Sequence, residues 1–362
     1  MNKKYENLII NNEYSILKTL QKMDEVKRKL LIVNYLDGRY WNLISIGDLQ
    51  RAIISGTELT KKIKNIHISD KQVADITQSH DVLKERMKSM RCEFMPVLDQ
   101  FNNLKSVLFW EDFFKEKKTI SHSKLNCPVV IMAGGQGTRL KPISNVIPKP
   151  LTPIGESTII EEIMSRFNDA GCNRFLLTVN YKKEMIQYYL DKEAKHSSKI
   201  EYLEEEKPLG TAGSITLLKN KIKSTFFVSN CDILIDQDLQ ELYNYHKENN
   251  NEITLVAALK NVKISYGTLI SRDDGLLESM EEKPDLTFKI NAGVYILEPH
   301  LIDEIPDNEF YHITDLIDKV KARNGRVGVF PISEQSWLDI GEWPEYIKTV
   351  KALSSDKNFV GI

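Results

Sequence analysis

Gly134, Gly135 and Gly137 follow an apolar run, VVIM, and lead into Arg139 and then Lys149, which stands between Pro148 and Pro150. Glycines leave backbone amides unshielded, so an anion can approach them closely. Arg139 adds a planar forked cation suited to phosphate oxygens, and Lys149 adds a second charge on a stiffened segment. The run AGGQGTRLKPISNVIPKPLTPIG, residues 133–155, is therefore equipped to hold a triphosphate. Two other glycine loops fail on residues. A dinucleotide fingerprint from Gly135 needs glycine where Leu140 stands, and a P-loop needs GK[ST] where the chain has GTR. A plain glycine turn would explain the glycines but not an Arg and a Lys bracketed by prolines.

Two distant aspartates are candidates for a shared ion. Asp232 ends the run FFVSNCD, and Asp339 lies in WLDIG. Magnesium prefers one or two carboxylates plus substrate phosphates to an all-protein cage, so two aspartates converging at strand ends suffice. In the alternative reading, Asp232 merely caps a turn. The seven histidines form no Ser-His-Asp or similar arrangement. A phosphate monoester needs no such base, since its second pKa is about 6. Charge management is then the main catalytic task.

The string GGQGTRLKP followed by PKPL resembles the signature of the sugar-phosphate nucleotidyltransferases, and the resemblance runs from Pro128 to about Lys348. It implies that Gly134 and Gly135 line the nucleotide, that Arg139 and Lys149 hold the triphosphate during transfer, and that Asp232 and Asp339 bind Mg2+. The segment EEEKPLGTAGS, residues 204–214, resembles the family's base-reading loop, where Gly210 would let the backbone meet the base. Guanine offers two adjacent donors that a carboxylate from Glu205 or Glu206 can accept together, which favours GTP. The other reading of these glutamates is a solvated charge run. The segments YGTLI, MEEKPD and INAGVYIL resemble the sugar-phosphate strands. By that resemblance Gly267 gives the sugar room, Glu282 accepts its hydroxyls, Lys283 binds its phosphate, and Asn291 and Gly293 form the pocket wall.

Positioning these residues requires an alternation of strands and helices. From Pro128 the chain reads PVVIMAGG, STIIEEIMSRFNDAG, RFLLTV, KEMIQYYLDKE, FFVSNCD, LQELYNYHKENN and EITLVAAL. Such alternation predicts an α/β, Rossmann-like domain over 128–350 with a mostly parallel, mixed sheet. Ligands in such sheets lie at the carboxyl ends of strands. Residues 1–120 contain instead a weak internal repeat, in which Val33 and Val97 sit in matching strands and Asp48 and Asp112 open matching helices. The arrangement resembles a small α+β tandem CBS domain, a module whose family often binds adenosine nucleotides. The resemblance assigns Ser45 and Asp48 to ribose and phosphate, while the second copy departs from the pattern at Phe109. Simple N-capping is the other reading of both aspartates.

Composition narrows the partners. The chain of 362 residues is long enough for two domains and carries a formal charge of -2, so no net positive field favours nucleic acid or an anionic membrane. Four cysteines without a CxxC pair, no signal-peptide core and no apolar run of ~20 residues suggest the cytoplasm. The expected reaction joins GMP from GTP to a sugar 1-phosphate, releasing pyrophosphate. The domain order resembles the glucosamine-1-phosphate guanylyltransferases of bacterial legionaminic acid synthesis. Heptose- or mannose-1-phosphate guanylyltransferases, and uridylyl- or thymidylyltransferases, are the alternatives within the class. A nucleotide-sensing CBS protein is the alternative outside it. CBS pairs commonly associate, so a homo-oligomer is expected.

Overall fold

The computed structural model describes residues 3–69, 71, 73–90, 94–109, 125–194 and 198–354. The helix expected to open at Asp112, most of the linker between the halves, and Cys92 lie outside them. The chain divides into two compact units, Met1–Ser121 and His122–Ile362.

The first unit repeats one topology. Strands β1 (Ile9–Asn11), β2 (Leu30–Asn34) and β3 (Tyr40–Ser45) form a sheet in that order, β1 parallel to β2 and β2 antiparallel to β3. Strands β4 (Ala74–Asp75), β5 (Phe94–Leu98) and β6 (Leu104–Phe109) form a second sheet with the same order and directions. A helix makes each parallel crossover, Ile16–Val26 in one copy and His80–Met90 in the other. Even the irregularity recurs, because the antiparallel register slips at Val33/Asn34 and again at Val97/Leu98. Apolar residues at helical spacing drive the packing: Ile16, Leu20 and Met23 are buried on the first crossover helix, and Leu83 and Met87 on the second.

The second unit is built on a seven-stranded sheet. Its strands are β7 (Val129–Met132), β10 (Arg174–Val179), β11 (Lys199–Glu204), β12 (Phe226–Asn230), β14 (Ile253–Lys263), β17 (Asp285–Leu297) and β18 (Val327–Ser333). The spatial order is β11-β10-β7-β12-β17-β14-β18. Every neighbouring pair is parallel except the two that involve β17. The mostly parallel, mixed sheet expected from the sequence is thus present. Short pairs β8 (Pro153–Ile154) with β9 (Ser157–Thr158), β13 (Ile233–Ile235) with β19 (Trp337–Asp339), and β15 (Thr268–Ser271) with β16 (Leu277–Glu281) flank it.

Central strands of such sheets are buried on both faces and read as continuous apolar runs. Val129, Val130 and Ile131 of β7 are each wholly buried, as are Phe226 and Phe227 of β12. The helix Ile159–Asp169 buries Ile159, Ile160, Ile163, Met164 and Phe167, and Phe167 meets Phe227 edge-on at 5.3 Å. Burial of each large apolar side chain contributes about 1.5–3 kcal/mol. The chain runs outward from β7 through β10 to β11, then returns to the other side of β7 with β12. The carboxyl ends of β7 and β12 therefore border the topological switch point, where a crevice opens.

Candidate active site

Gly134, Gly135 and Gly137 leave β7 at that crevice. Gly137 has φ +63°, and a side chain there would collide with Lys149, whose Cβ lies 2.9 Å from the position of the missing Cβ. The glycine thus admits the lysine beneath the loop. Arg139 sits on the turn Thr138–Leu140 and Lys149 on the turn Lys149–Leu151. Pro148 and Pro150 suit the second turn, since proline φ is already set near its value.

Asp232 lies two residues past the end of β12 rather than within it, in the turn leading to β13. The β13–β19 pairing puts Ile233 opposite Asp339, and the Ile340 amide donates to the Asp232 carbonyl at 2.9 Å. Residues 107 apart in sequence are thereby brought together. Gly341 reports how tightly they meet. A Cβ there would lie 2.6 Å from Asp232 Oδ2, 2.8 Å from Asp339 Oδ1 and 3.2 Å from Arg139 Nη2. Lys149 Nζ forms an ion pair with Asp232 Oδ2, and Arg139 Nη2 stands 4.0 Å from the same oxygen. Burial and the neighbouring Asp232 charge push the Asp339 carboxyl above its usual range, against a hydrogen bond from the Gly341 amide at 2.7 Å. Two close carboxylates, Asp232 buried and Asp339 half-buried, fit a hard dication. Asp232 and Asp339 are the residues that would hold one.

On the other flank, Glu205 follows β11. Its Oε1 lies 2.7 Å from where a Gly134 Cβ would stand, and its Oε2 accepts from the Leu209 amide at 3.2 Å. Burial raises the Glu205 pKa, against hydrogen bonds from Leu209 and Thr178. Glu206 is exposed, whereas the half-buried Glu205 carboxylate lies against Gly134. No atom comes within 4 Å of the missing Cβ of Gly135, which leaves open space on that side of the loop. Gly210 packs closely against the backbone of Tyr311. A Cβ there would lie 2.7 Å from the Tyr311 carbonyl oxygen, which also accepts from the amides of Ala212 and Gly213. Glycine at 210 is needed for this close backbone approach.

The residues expected to hold the sugar fall into two groups. Asn291 on β17 donates to the Tyr295 hydroxyl at 2.8 Å and accepts from the Gly293 amide at 3.1 Å. Gly293, at φ +73°, would collide with Asn230 Nδ2 if it bore a side chain, so this wall lies against the end of β12 near Asp232. Gly267, Glu282 and Lys283 flank the exposed β15–β16 hairpin: Glu282 Oε2 lies 2.9 Å from the missing Gly267 Cβ, and Lys283 Nζ lies 3.9 Å from Glu282 Oε1.

Ser45 and Asp48 form a capping box at the helix Ile46–Ile54. Asp48 is wholly buried, and its oxygens accept from Ser45, Arg51, Ser69 and Lys71. Burial alone would raise its pKa, but Lys71 and the donors of Ser45 and Ser69 hold it at about 2. In this structure the carboxylate is saturated by its own chain.

Sequence reasoning did not single out Gly341, Glu342, Trp343, Asn230 or Asn180. Glu342 accepts from Arg139 Nη1 at 2.8 Å, the Trp343 indole donates to the Lys141 carbonyl at 2.9 Å, and Asn180 Nδ2 donates to the Glu205 carbonyl at 2.7 Å. The available signal was GEWP directly after WLDI, a glycine followed by a helix start with an early proline. A second acidic group elsewhere, Glu252 with His300 and Glu304, encloses the Arg323 guanidinium, which bonds both glutamates, and is thus an ion-pair network.

A family model described as Nucleotidyl transferase matches residues 128–356. The chain is 31% identical over 226 residues to "Probable mannose-1-phosphate guanylyltransferase 1" of Oryza sativa, covering 60% of this chain and 62% of that protein. It is 30% identical over 256 residues to "Mannose-1-phosphate guanylyltransferase catalytic subunit beta" of Drosophila pseudoobscura, covering 64% and 66%. The chain thus spans just under two thirds of the length of these curated relatives. Among solved structures, HddC from Yersinia pseudotuberculosis is 30% identical with a TM-score of 0.50, covering 63% of this chain and 99% of that one. A structure of HddC complexed with GMP-PN matches over the same shares at 28% identity.

Proposed function

The chain belongs to the nucleotidyl transferase family, and from that premise we propose that it transfers a nucleoside monophosphate, GMP from GTP, to a sugar 1-phosphate. The observation that carries the reading is the convergence of Arg139, Asp232 and Asp339 around Gly341, with Lys149 paired to Asp232, at the switch point of the sheet. The sugar-phosphate oxygen attacks the α-phosphorus in line, one P–O bond forms, the bond to the β-phosphate bridge breaks, and pyrophosphate leaves. Lys149 and Arg139 offset repulsion between the two anions and neutralise charge on the departing pyrophosphate. Magnesium held by Asp232 and Asp339 would add positive charge at the same phosphates. No side chain need remove a proton, because the nucleophile is already largely dianionic at neutral pH.

GTP is favoured because Glu205, beside Gly134, offers acceptor oxygens for the paired donors of guanine. The names of the guanylyltransferase relatives point the same way. Glucosamine 1-phosphate is the first acceptor to test, from the resemblance in domain order, with Asn291, Glu282 and Lys283 as the sugar-side residues. Mannose 1-phosphate is the second, on the names of the relatives. The repeated first unit is read as a CBS pair that binds an adenine nucleotide, and Asp48 would serve that ligand by giving up one of its present donors, Ser45, Arg51, Ser69 or Lys71. The protein is read as a cytoplasmic homo-oligomer; no helix among the described residues is long and apolar enough to cross a membrane. Magnesium-dependent pyrophosphate release from GTP and a sugar 1-phosphate, abolished by Arg139→Ala, tests the core of the reading.

A further inference from the structure

The two phosphate-loop cations are held very differently. Lys149 is 11% exposed and pairs with Asp232 at 8% exposure, whereas Arg139 is 58% exposed and its close partner, Glu342, is 51% exposed. Glu342 Oε1 accepts from Arg139 Nη1 at 2.8 Å, and this bond is the first cause of a guanidinium pKa above its ordinary value. Glu342 also sits where the chain enters the helix Trp343–Ser354, since its carbonyl accepts from the Tyr346 amide at 2.8 Å. Two further bonds hold this helix start in place: Trp343 Nε1 to the carbonyl of Lys141, two residues after Arg139, at 2.9 Å, and the Tyr346 hydroxyl to the carbonyl of Pro153, at the start of β8, at 2.8 Å. The backbone at Glu342 is thereby held beside Arg139 by bonds that do not involve the Arg139 side chain.

We infer that Glu342 is a positioning residue that exchanges Arg139 with the phosphate ligand: it holds the guanidinium in the ligand-free chain, yields it to an incoming triphosphate, and reclaims it as pyrophosphate departs. The inference rests on the phosphate-binding role proposed above. An exposed ion pair is weak enough to be broken by a polyanion, and a tethered partner re-forms it at high effective concentration. Glu342 also repels the anion directly, so both effects weaken phosphate binding and favour release. Lys149, whose pair with Asp232 is buried, stays in place.

The test is binding of inorganic pyrophosphate with magnesium, measured by calorimetry on the full chain and on Glu342→Gln, with Glu342→Asp as the charge-retaining control. We expect Glu342→Gln to bind pyrophosphate roughly two- to fivefold more tightly, to show a KM for the nucleotide lowered by a similar factor, and to gain nothing in kcat. Glu342→Asp should return toward the parent value. In an Arg139→Ala background the Glu342→Gln effect should shrink, because the exchange partner is gone. Unchanged or weaker binding in Glu342→Gln, or an equal gain with and without Arg139, overturns the inference. A parent chain that binds no pyrophosphate and releases none from any nucleotide would instead remove the phosphate-binding reading itself.

Discussion

Lys149 and Asp232 form the least exposed ion pair of the phosphate site, and each leaves a nearly buried charge behind if the other is removed. Truncating one member of such a pair is more damaging than its net worth suggests. Lys149→Ala is expected to lower kcat by about 10²–10³-fold, the usual cost of one donor at developing charge, in steady-state pyrophosphate-release assays. A drop below threefold would exclude Lys149 from the transfer step. Glu205 is argued at the same scale. Replacing its carboxylate by an amide in Glu205→Gln puts a donor where guanine also donates. The ratio of kcat/KM for GTP over UTP should then fall by at least about tenfold, measured with both nucleotides on one preparation. An unchanged ratio would place base discrimination elsewhere.

At the scale of elements, the sheet and its flanking helices were legible because β7, β10 and β12 are continuous apolar runs and the helix Ile159–Asp169 carries its apolar residues at helical spacing. The glycine loop was legible for the same local reason: its residue types are meaningful in sequence alone. What joins Asp232 to Asp339 was less visible, because it is the two short strands β13 and β19 that pair across the chain. Glu342 escaped notice because its partner, Arg139, is 203 residues away. The packing of Gly210 against the Tyr311 carbonyl was likewise invisible, because it joins residues 101 apart. Two elements yield stability predictions. Asp48 is buried in the first turn of the helix Ile46–Ile54 with Lys71 and Ser69 tied to it. Asp48→Ala should destabilise the first unit by roughly 3 kcal/mol, read as a shifted unfolding transition. His246, wholly buried in the helix Leu239–Glu248, lies 2.8 Å from Thr254 Oγ1 and 3.2 Å from Glu298 Oε1. Burial lowers its pKa, outweighing Glu298. The unfolded chain therefore binds this proton first. The contribution of His246 is complete above the unfolded pKa of about 6.5 and declines as pH falls from there toward the lower folded value. Denaturant midpoints at pH 7.5 and 5.5 should show a loss that His246→Gln reduces.

At the scale of the whole molecule, the chain joins a unit of two topologically equivalent halves to a unit of the nucleotidyl transferase family. On the proposed reading of the first unit as a nucleotide-binding CBS pair, a ligand that binds it alters the rate of the other unit only through differential affinity for two states. Adding AMP or ATP to the full chain should then change the rate of pyrophosphate release at fixed substrates, and heat of binding without any rate change would make the first unit a passive one. The most direct measurement of the central claim is simpler. Pyrophosphate release is followed for the full chain with GTP, UTP, dTTP, CTP and ATP against glucosamine-, mannose-, glucose-, N-acetylglucosamine- and heptose-1-phosphates, with magnesium present and then chelated. The account predicts turnover that requires both substrates and the metal, is fastest with GTP, and is lost in Arg139→Ala; absence of pyrophosphate from every pair by the folded chain would contradict it.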